Sequence, residues 1–107
     1  MGYYTKYELT TEPQVGLTEK DLETMSGGYS WEAWGNHWQP VDDCKWYEHD
    51  EHLKKFSKKK KYKNVLFILR GEGEESGDIW EAYYKNGKSA RYAAEVVIPP
   101  FKEEDLK

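Results

Sequence analysis

The sequence predicts one α+β domain over residues 1–107, with an antiparallel or mixed sheet of about five strands and two helices on one face. Its 107 residues are the length of a single domain. Its 5 Trp, 9 Tyr and 3 Phe can build a core although 34% of the residues are charged. Segments typical of strands alternate with two helical patterns, and the order βαβαβββ favours a ferredoxin-like arrangement with a C-terminal meander.

The first half of the chain predicts two extended segments around one short helix. Residues 3–9 are rich in tyrosine, threonine and leucine, which favour a strand. Thr18 and Asp21 have the spacing of a capping box, so a helix should begin there and run through Met25. Residues 29–38 alternate bulky and small side chains, which predicts one further extended piece.

The second half predicts a longer helix followed by three strands. The helix should run from residue 47 or 48 to about 61, with His49, His52, Leu53, Phe56 and Lys60 on one face. Residues 64–69 contain an unbroken apolar run that is typical of a central strand buried on both faces. Asn86-Gly87 predicts a hairpin turn between strands at residues 78–85 and 88–98.

The nitrogen and sulfur metal ligands of the chain are clustered. They all lie between positions 37 and 52, and they are His37, Cys44, His49 and His52. Four is the number of ligands in a structural zinc site, and two histidines three apart on a helix leave it on the same side. The spacing is not that of a standard zinc finger, and Asp42, Asp43 or Asp50 is an alternative to His37. The other interpretation places the two helical histidines at the core edge and Cys44 in the core as a small apolar residue.

An acidic, glycine-rich stretch covers residues 71–78. Its carboxylates are Glu72, Glu74, Glu75 and Asp78. A phosphate-binding loop needs positive charge and a Gly-Lys-Ser/Thr ending, and both are missing here. A solvated connection and a loop that contacts a partner stay open as interpretations. No Ser/His/Asp arrangement can be read from the sequence, so we expect a protein that is not an enzyme.

A basic tract runs from Lys54 to Lys63 and is the best candidate for contact with nucleic acid. Lysines neutralise phosphates, and an exposed Tyr62 would stack on a base. The net charge of −4 favours the alternative, a solvated helix face with Phe56 turned inward.

Several stretches together resemble a group of small phage and prophage proteins, over most of the chain. They are YYTKYEL at 3–9, CKWYEH at 44–49, LFILRGEGEE at 66–75, DIW at 78–80 and YKNGK at 84–88. Among phage proteins of this size, the chain is most similar to the anti-CRISPR inhibitors of type II systems. At least one of those is a zinc-binding α/β protein directed at Cas9. The resemblance implies a non-enzymatic inhibitor with a structural zinc, and it carries over no contact residues.

The function implied by this resemblance is binding to Cas9 so that target DNA is not loaded. Cas9 is basic, so the acidic residues Glu72, Glu74, Glu75 and Asp78 are the expected contact patch. The alternatives are a nucleic-acid-binding accessory protein that uses Lys54 to Lys63, and a metal-dependent enzyme. The N-terminal residues do not have the pattern of a signal peptide, and a single cysteine fits a reducing compartment. We therefore expect the host cytoplasm, a host protein as partner, no direct binding to nucleic acid and no membrane contact.

Overall fold

The computed structural model describes residues 4–42, 44–73, 78–94 and 101–106. They form an α+β structure with a six-stranded antiparallel open sheet and two α-helices. The strands are β1 (Thr5–Glu12), β2 (Trp31–Trp34), β3 (His37–Pro40), β4 (Leu66–Gly73), β5 (Ile79–Lys85) and β6 (Lys88–Ala93). The helices are α1 (Glu19–Met25) and α2 (His49–Ser57), with short 3-10 helices at Lys60–Tyr62 and Glu103–Asp105.

The strands lie in the order β2-β3-β1-β4-β5-β6, and every neighbouring pair is antiparallel. Leu9 of β1 is opposite Trp38 on one side and Leu69 on the other. The same row continues through Ala82 of β5 to Arg91 of β6. This register lets each side chain of the central strands be assigned to one of two faces, because successive residues of a strand point to opposite sides.

The two helices cover one face of this sheet, which we call the covered face. Its strand residues include Leu9, Phe67, Leu69 and Tyr84, each fully shielded from solvent. Leu22 of α1 and the α2 residues Leu53 and Phe56 belong to the same buried cluster. The alternate strand residues form the open face, where side chains are half-buried or exposed. The open face includes Lys6, Glu8, Thr10, Trp34, His37, Gln39, Ile68, Arg70, Glu72, Ile79, Glu81, Tyr83 and Tyr92.

Two predicted local signals are confirmed. The capping box at α1 is present, since the Asp21 amide donates to Thr18 Oγ1 and the Thr18 amide donates to the Asp21 carboxylate. Asn86 and Gly87 both have positive φ, 51° and 80°, and they join β5 to β6. This is the backbone geometry of the tight hairpin turn that such a dipeptide favours. β6 ends at Ala93, and positions 95–98 of the predicted last strand lie outside the described residues.

The prediction of about five strands was too low by one. The segment predicted as a single extended piece contains two strands, β2 and β3, joined at Gly35-Asn36. Gly35 has φ of 64°, a conformation that glycine adopts at little cost, so the chain can reverse there. The element order of the described chain is therefore βαββαβββ.

The apolar run of β4 is not buried on both faces. Phe67 and Leu69 are buried, but Leu66 and Ile68 point to the open face and are only half-buried. β4 also continues to Gly73, into the stretch predicted as a loop. Gly71 lies beneath the Trp80 ring, which leaves no room for a Cβ atom. This close approach explains a glycine inside the strand.

The second helix is shorter than predicted. α2 ends at Ser57, and Lys59 has extended backbone angles before the 3-10 turn at Lys60–Tyr62. The break turns Tyr62 into the core, where its ring packs on Phe56 and Phe67 at centroid distances of 4.7 and 5.4 Å. Phe56 is turned inward as predicted, whereas Tyr62 is buried and not exposed. Lys60 was predicted on the helix face of Leu53 and Phe56, but it lies beyond the end of α2 and is exposed. In the described part of the chain no helix has the length and apolar character needed to cross a membrane.

Candidate functional site

The four predicted zinc ligands lie in different environments. His49 and His52 are on α2, above the covered face. Cys44 is buried and forms an isolated bridge with Thr5, whose amide donates to the Cys44 carbonyl at 3.1 Å. His37 is the first residue of β3 and precedes Trp38, which packs against the core, so His37 points to the open face. The structure therefore brings two of the four together and places His37 on the other side of the sheet.

Both ring nitrogens of His52 face polar neighbours. The Trp46 indole N–H donates to His52 Nδ1 at 2.8 Å, so this nitrogen must carry a lone pair. His52 Nε2 is 3.2 Å from Glu48 Oε2, one helical turn earlier. This arrangement places the imidazole proton on Nε2 and orients the ring between an indole and a carboxylate.

His49 lies inside an aromatic cluster at the start of α2. Its ring stacks on Trp80 at a centroid distance of 5.0 Å, and the rings of Tyr7 and Trp46 are at about 6 Å. His49 Nδ1 is 3.5 Å from the hydroxyl of Tyr84, which donates a hydrogen bond to Asp50. Burial lowers the pKa of His49, and the neighbouring Asp50 carboxylate opposes that shift. His49 is therefore a packed imidazole at the core edge that favours its neutral form.

A zinc ion bound by all four residues does not fit this arrangement, because His37 and α2 are on opposite faces. Within the described ranges, no group of three or more His, Cys, Asp or Glu side chains is close enough together to hold a metal ion. Of the alternative oxygen ligands, Asp50 accepts from Tyr84, Asp42 is exposed beyond β3, and Asp43 lies outside the described residues. Zinc binding stays a prediction, and no chemical step is assigned to it.

The predicted acidic patch lies where β4 passes into β5. Glu72 is exposed near the end of β4, and Asp78 is half-buried just before β5. The Gly73 amide donates to the Asp78 carbonyl at 2.8 Å, which holds the two strand ends together. Glu74 and Glu75 lie outside the described residues. We call the end of β4 with Glu72, together with Asp78 just before β5, the acidic end.

A cavity of about 260 Å³ opens beside Glu72 on the open face. Three carboxylates line it, Glu8 of β1, Asp42 after β3 and Glu72 of β4, so we call it the acidic cavity. Lys6 and Arg70 also line it, and Arg70 Nη1 is 3.7 Å from Glu81 Oε1. Sequence analysis missed Glu8 and Asp42 as neighbours of Glu72, because they meet only through the long-range pairing of β1 with β3 and β4.

The open face continues from the acidic cavity as a partly apolar surface. Across β4, β5 and β6 it presents Ile68, Tyr83 and Tyr92, with the two tyrosine rings 5.9 Å apart in an edge arrangement. Tyr92 is 66% exposed, and Trp34 near the opposite edge is 54% exposed. Exposed tyrosine and tryptophan beside charged residues are typical of protein interfaces. Amino-acid composition cannot show which aromatic residues lie in the core and which lie on the surface. The strand register assigns each aromatic strand residue to one of the two faces.

The basic tract lies at the other end of the sheet. Its seven lysines are all exposed, and they are Lys54, Lys55, Lys58, Lys59, Lys60, Lys61 and Lys63. They surround the end of α2 and the 3-10 turn that follows it. The structure thus separates the positive and negative segments of the chain in space as well as in sequence.

Comparisons with known proteins give no family for this chain. No protein-family model matches the sequence, and searches of curated proteins and of solved structures find no match.

Proposed function

We propose that this protein is a non-enzymatic inhibitor that binds a host protein through the acidic cavity and the adjoining open face. The resemblance to phage proteins suggests that the partner is a defence nuclease of the Cas9 type. In this proposal, binding blocks the surface on which the nuclease loads target DNA.

The observation that carries the proposal is the convergence of Glu8, Asp42 and Glu72 around one open cavity. All three are exposed, and they come from segments far apart in the chain. A nuclease that loads DNA must present lysine and arginine side chains to the phosphates. Carboxylates held on the sheet, or directly after a strand as at Asp42, offer those side chains a competing partner, and the long-range attraction would speed association.

The tyrosines of the open face supply the apolar part of the proposed interface. Interfaces gain most of their binding free energy from a few buried aromatic or arginine anchors, while charges at the rim mainly set orientation and rate. Tyr83 is held in place by a 2.6 Å hydrogen bond from its hydroxyl to Glu81, and Tyr92 packs against it. Both rings are therefore positioned on the sheet before any partner arrives.

We further propose that the fold is ferredoxin-like. The elements β1, α1, β2, β3, α2 and β4 follow in the order of a split βαβ arrangement, with the sheet order β2-β3-β1-β4. A ferredoxin-like core extended by β5 and β6 accounts for this order. Such a core leaves one face of the sheet free of helices, as the proposed binding mode requires.

The proposal is tested with a purified type II Cas9 carrying its guide RNA and a labelled target DNA. The protein is added before the DNA in one series and after DNA binding in another. Added first, it should suppress cleavage with a midpoint near one molecule per nuclease. Added second, it should have little effect, because the loading surface is already occupied.

An excess of unrelated DNA serves as the control in the same assay. An inhibitor that binds the nuclease still suppresses cleavage in the presence of the competitor DNA. A protein that acts by binding DNA would instead bind the competitor, and cleavage of the target would recover. Unchanged cleavage at a tenfold excess of protein, together with no complex by size-exclusion chromatography, would contradict a Cas9 partner.

A further inference from the structure

We infer that the opposite end of the sheet is a second interaction surface, which binds the phosphodiester backbone of a nucleic acid. We call this surface the basic end. It consists of the lysine tract that covers the last turn of α2 and the residues after it, together with the lysines that flank the β5–β6 turn. Its members are Lys54, Lys55, Lys58, Lys59, Lys60, Lys61, Lys63, Lys85 and Lys88.

The folded chain brings these two lysine segments together. A Cβ atom added to Gly87 would meet the aliphatic part of Lys58, so the hairpin turn lies against the end of α2. The Gly87 amide donates to Ser57 Oγ at 2.9 Å, and Ser57 itself is buried. The turn is therefore held against the helix by a partly buried hydrogen bond as well as by packing.

A second pair of contacts fixes the turn from its other side. The Asn64 amide donates to the Asn86 side-chain oxygen at 3.0 Å, and the Asn86 side-chain nitrogen donates to the Asn64 oxygen at 3.1 Å. Asn64 follows Lys63, so both lysine segments are tied to one local framework. Lys85 and Lys88 thus extend the basic tract across the edge of the sheet at fixed positions.

The local charge is far more positive than that of the whole chain. Residues 52–71 contain seven lysines and one arginine and no aspartate or glutamate, and residues 82–94 also contain no acid. Acids near these lysines include Asp21 of α1, whose pKa is lowered by hydrogen bonding to Thr18 and by the charges of Lys61 and Lys59. Asp50 and Glu51 lie one helical turn before Lys54 and Lys55 on α2. The nine exposed lysines of the basic end outnumber these acids, and such a cluster suits a polyanion, whose binding releases condensed counterions.

The surroundings of the lysines favour nucleic acid over an anionic membrane. A membrane-binding helix needs apolar side chains that can enter the lipid beside its lysines. Here the apolar residues of the segment, Leu53, Phe56 and Tyr62, are all buried in the core. The basic end offers charge without an insertion surface, and it has no exposed ring for base stacking among its members. Contact with the backbone, independent of base sequence, is the expected mode.

This inference does not rest on the proposed function, because it concerns the other end of the sheet and is tested without any nuclease. Each β-strand residue advances by about 3.4 Å, so the seven residues of β5 separate the acidic and basic ends by about 20 Å. The two surfaces can therefore be altered one at a time.

The test measures fluorescence anisotropy with three labelled probes of unrelated sequence: a DNA duplex, a DNA single strand and an RNA single strand. Wild-type protein should bind at least one probe at low salt, and the logarithm of its affinity should fall linearly with the logarithm of salt concentration. Lys85→Glu/Lys88→Glu should weaken binding about tenfold or more and flatten that slope. The three probes identify which nucleic acid carries the preferred backbone.

A matched variant, Lys45→Glu/Lys102→Glu, changes the net charge equally at lysines outside the basic end and should bind almost as wild type does. If Lys85→Glu/Lys88→Glu has a lower melting temperature than the wild-type protein, Lys85→Gln/Lys88→Gln is used in its place. Absence of salt-sensitive binding to all three probes overturns the inference, as does equal weakening by the two Glu variants. Binding to anionic vesicles but to none of the three probes would assign the surface to a lipid and would also overturn the inference. Salt-sensitive self-association that the Lys85 and Lys88 changes abolish would assign the surface to a second copy of the chain, with the same consequence.

Discussion

The two faces of strand β4 show how one segment serves two purposes. Leu69 and Ile68 are neighbours in sequence, yet Leu69 is fully buried beneath the helices and Ile68 is half-buried on the open face. The covered face holds the fold together through close packing of large apolar residues. The open face keeps aromatic and charged residues in fixed positions without covering them. The comparison predicts that changes on the covered face alter stability, whereas changes on the open face alter binding.

The largest effect is expected from truncating adjacent residues of β4. Leu69→Ala removes a fully buried side chain and should lower the free energy of unfolding by about 2–5 kcal/mol. Ile68→Ala should lower the free energy of unfolding by about 1 kcal/mol or less, because it removes only cross-strand contacts at a half-buried position. Urea unfolding of the two variants measures both values. Equal losses would show that the open face is packed as tightly as the covered face.

The same comparison shows what the sequence could predict. Local signals sufficed for the capping box at Thr18 and for the turn at Asn86-Gly87, because each depends on a few adjacent residues. Alternation could not place Ile68, since an unbroken apolar run has no period that separates two faces. The register of β1 against β3 and β4 is a long-range property, so the meeting of Glu8 with Asp42 could not be foreseen.

The zinc prediction is sharpened by the opposite placement of His37 and α2. If Cys44, His49 and His52 hold a metal, elemental analysis should find one zinc per chain in wild-type protein. Cys44→Ser should lose the zinc and melt at a lower temperature, while His37→Ala should keep it, because His37 lies on the open face. Protein purified without a histidine tag and found free of zinc would contradict the prediction and leave Cys44 as a packing residue.

An effect smaller than that of Leu69→Ala is expected at the start of α1, which contributes Leu22 and Met25 to the covered face. Thr18→Ala removes the capping hydroxyl and should cost about 1 kcal/mol of stability. Hydrogen bonding to Thr18 lowers the pKa of Asp21, so the folded state releases this proton more readily than the unfolded state does. The stabilisation is therefore present above the ordinary aspartate pKa and is lost as the pH falls through the lowered value.

Thermal melting between pH 2 and pH 6 measures this contribution at α1. Asp21→Asn should show a weaker pH dependence than wild-type protein, since its side chain does not titrate. Binding to a partner at neutral pH should be the same for Thr18→Ala and wild type, because α1 is on the face away from the acidic cavity. Loss of binding in a folded Thr18→Ala protein would mean that the covered side also contacts the partner.

The most direct test of the central claim compares two triple variants that remove the same charge. Glu8→Gln/Asp42→Asn/Glu72→Gln neutralises the acidic cavity, and Glu19→Gln/Glu23→Gln/Glu51→Gln neutralises exposed helix residues. Calorimetric titration into guide-loaded Cas9 measures the affinity and its salt dependence for both. We expect the cavity variant to bind at least about tenfold more weakly with a reduced salt dependence, and the helix variant to bind as wild type does. Equal affinities for the two variants would contradict the claim that the acidic cavity is the partner-binding surface.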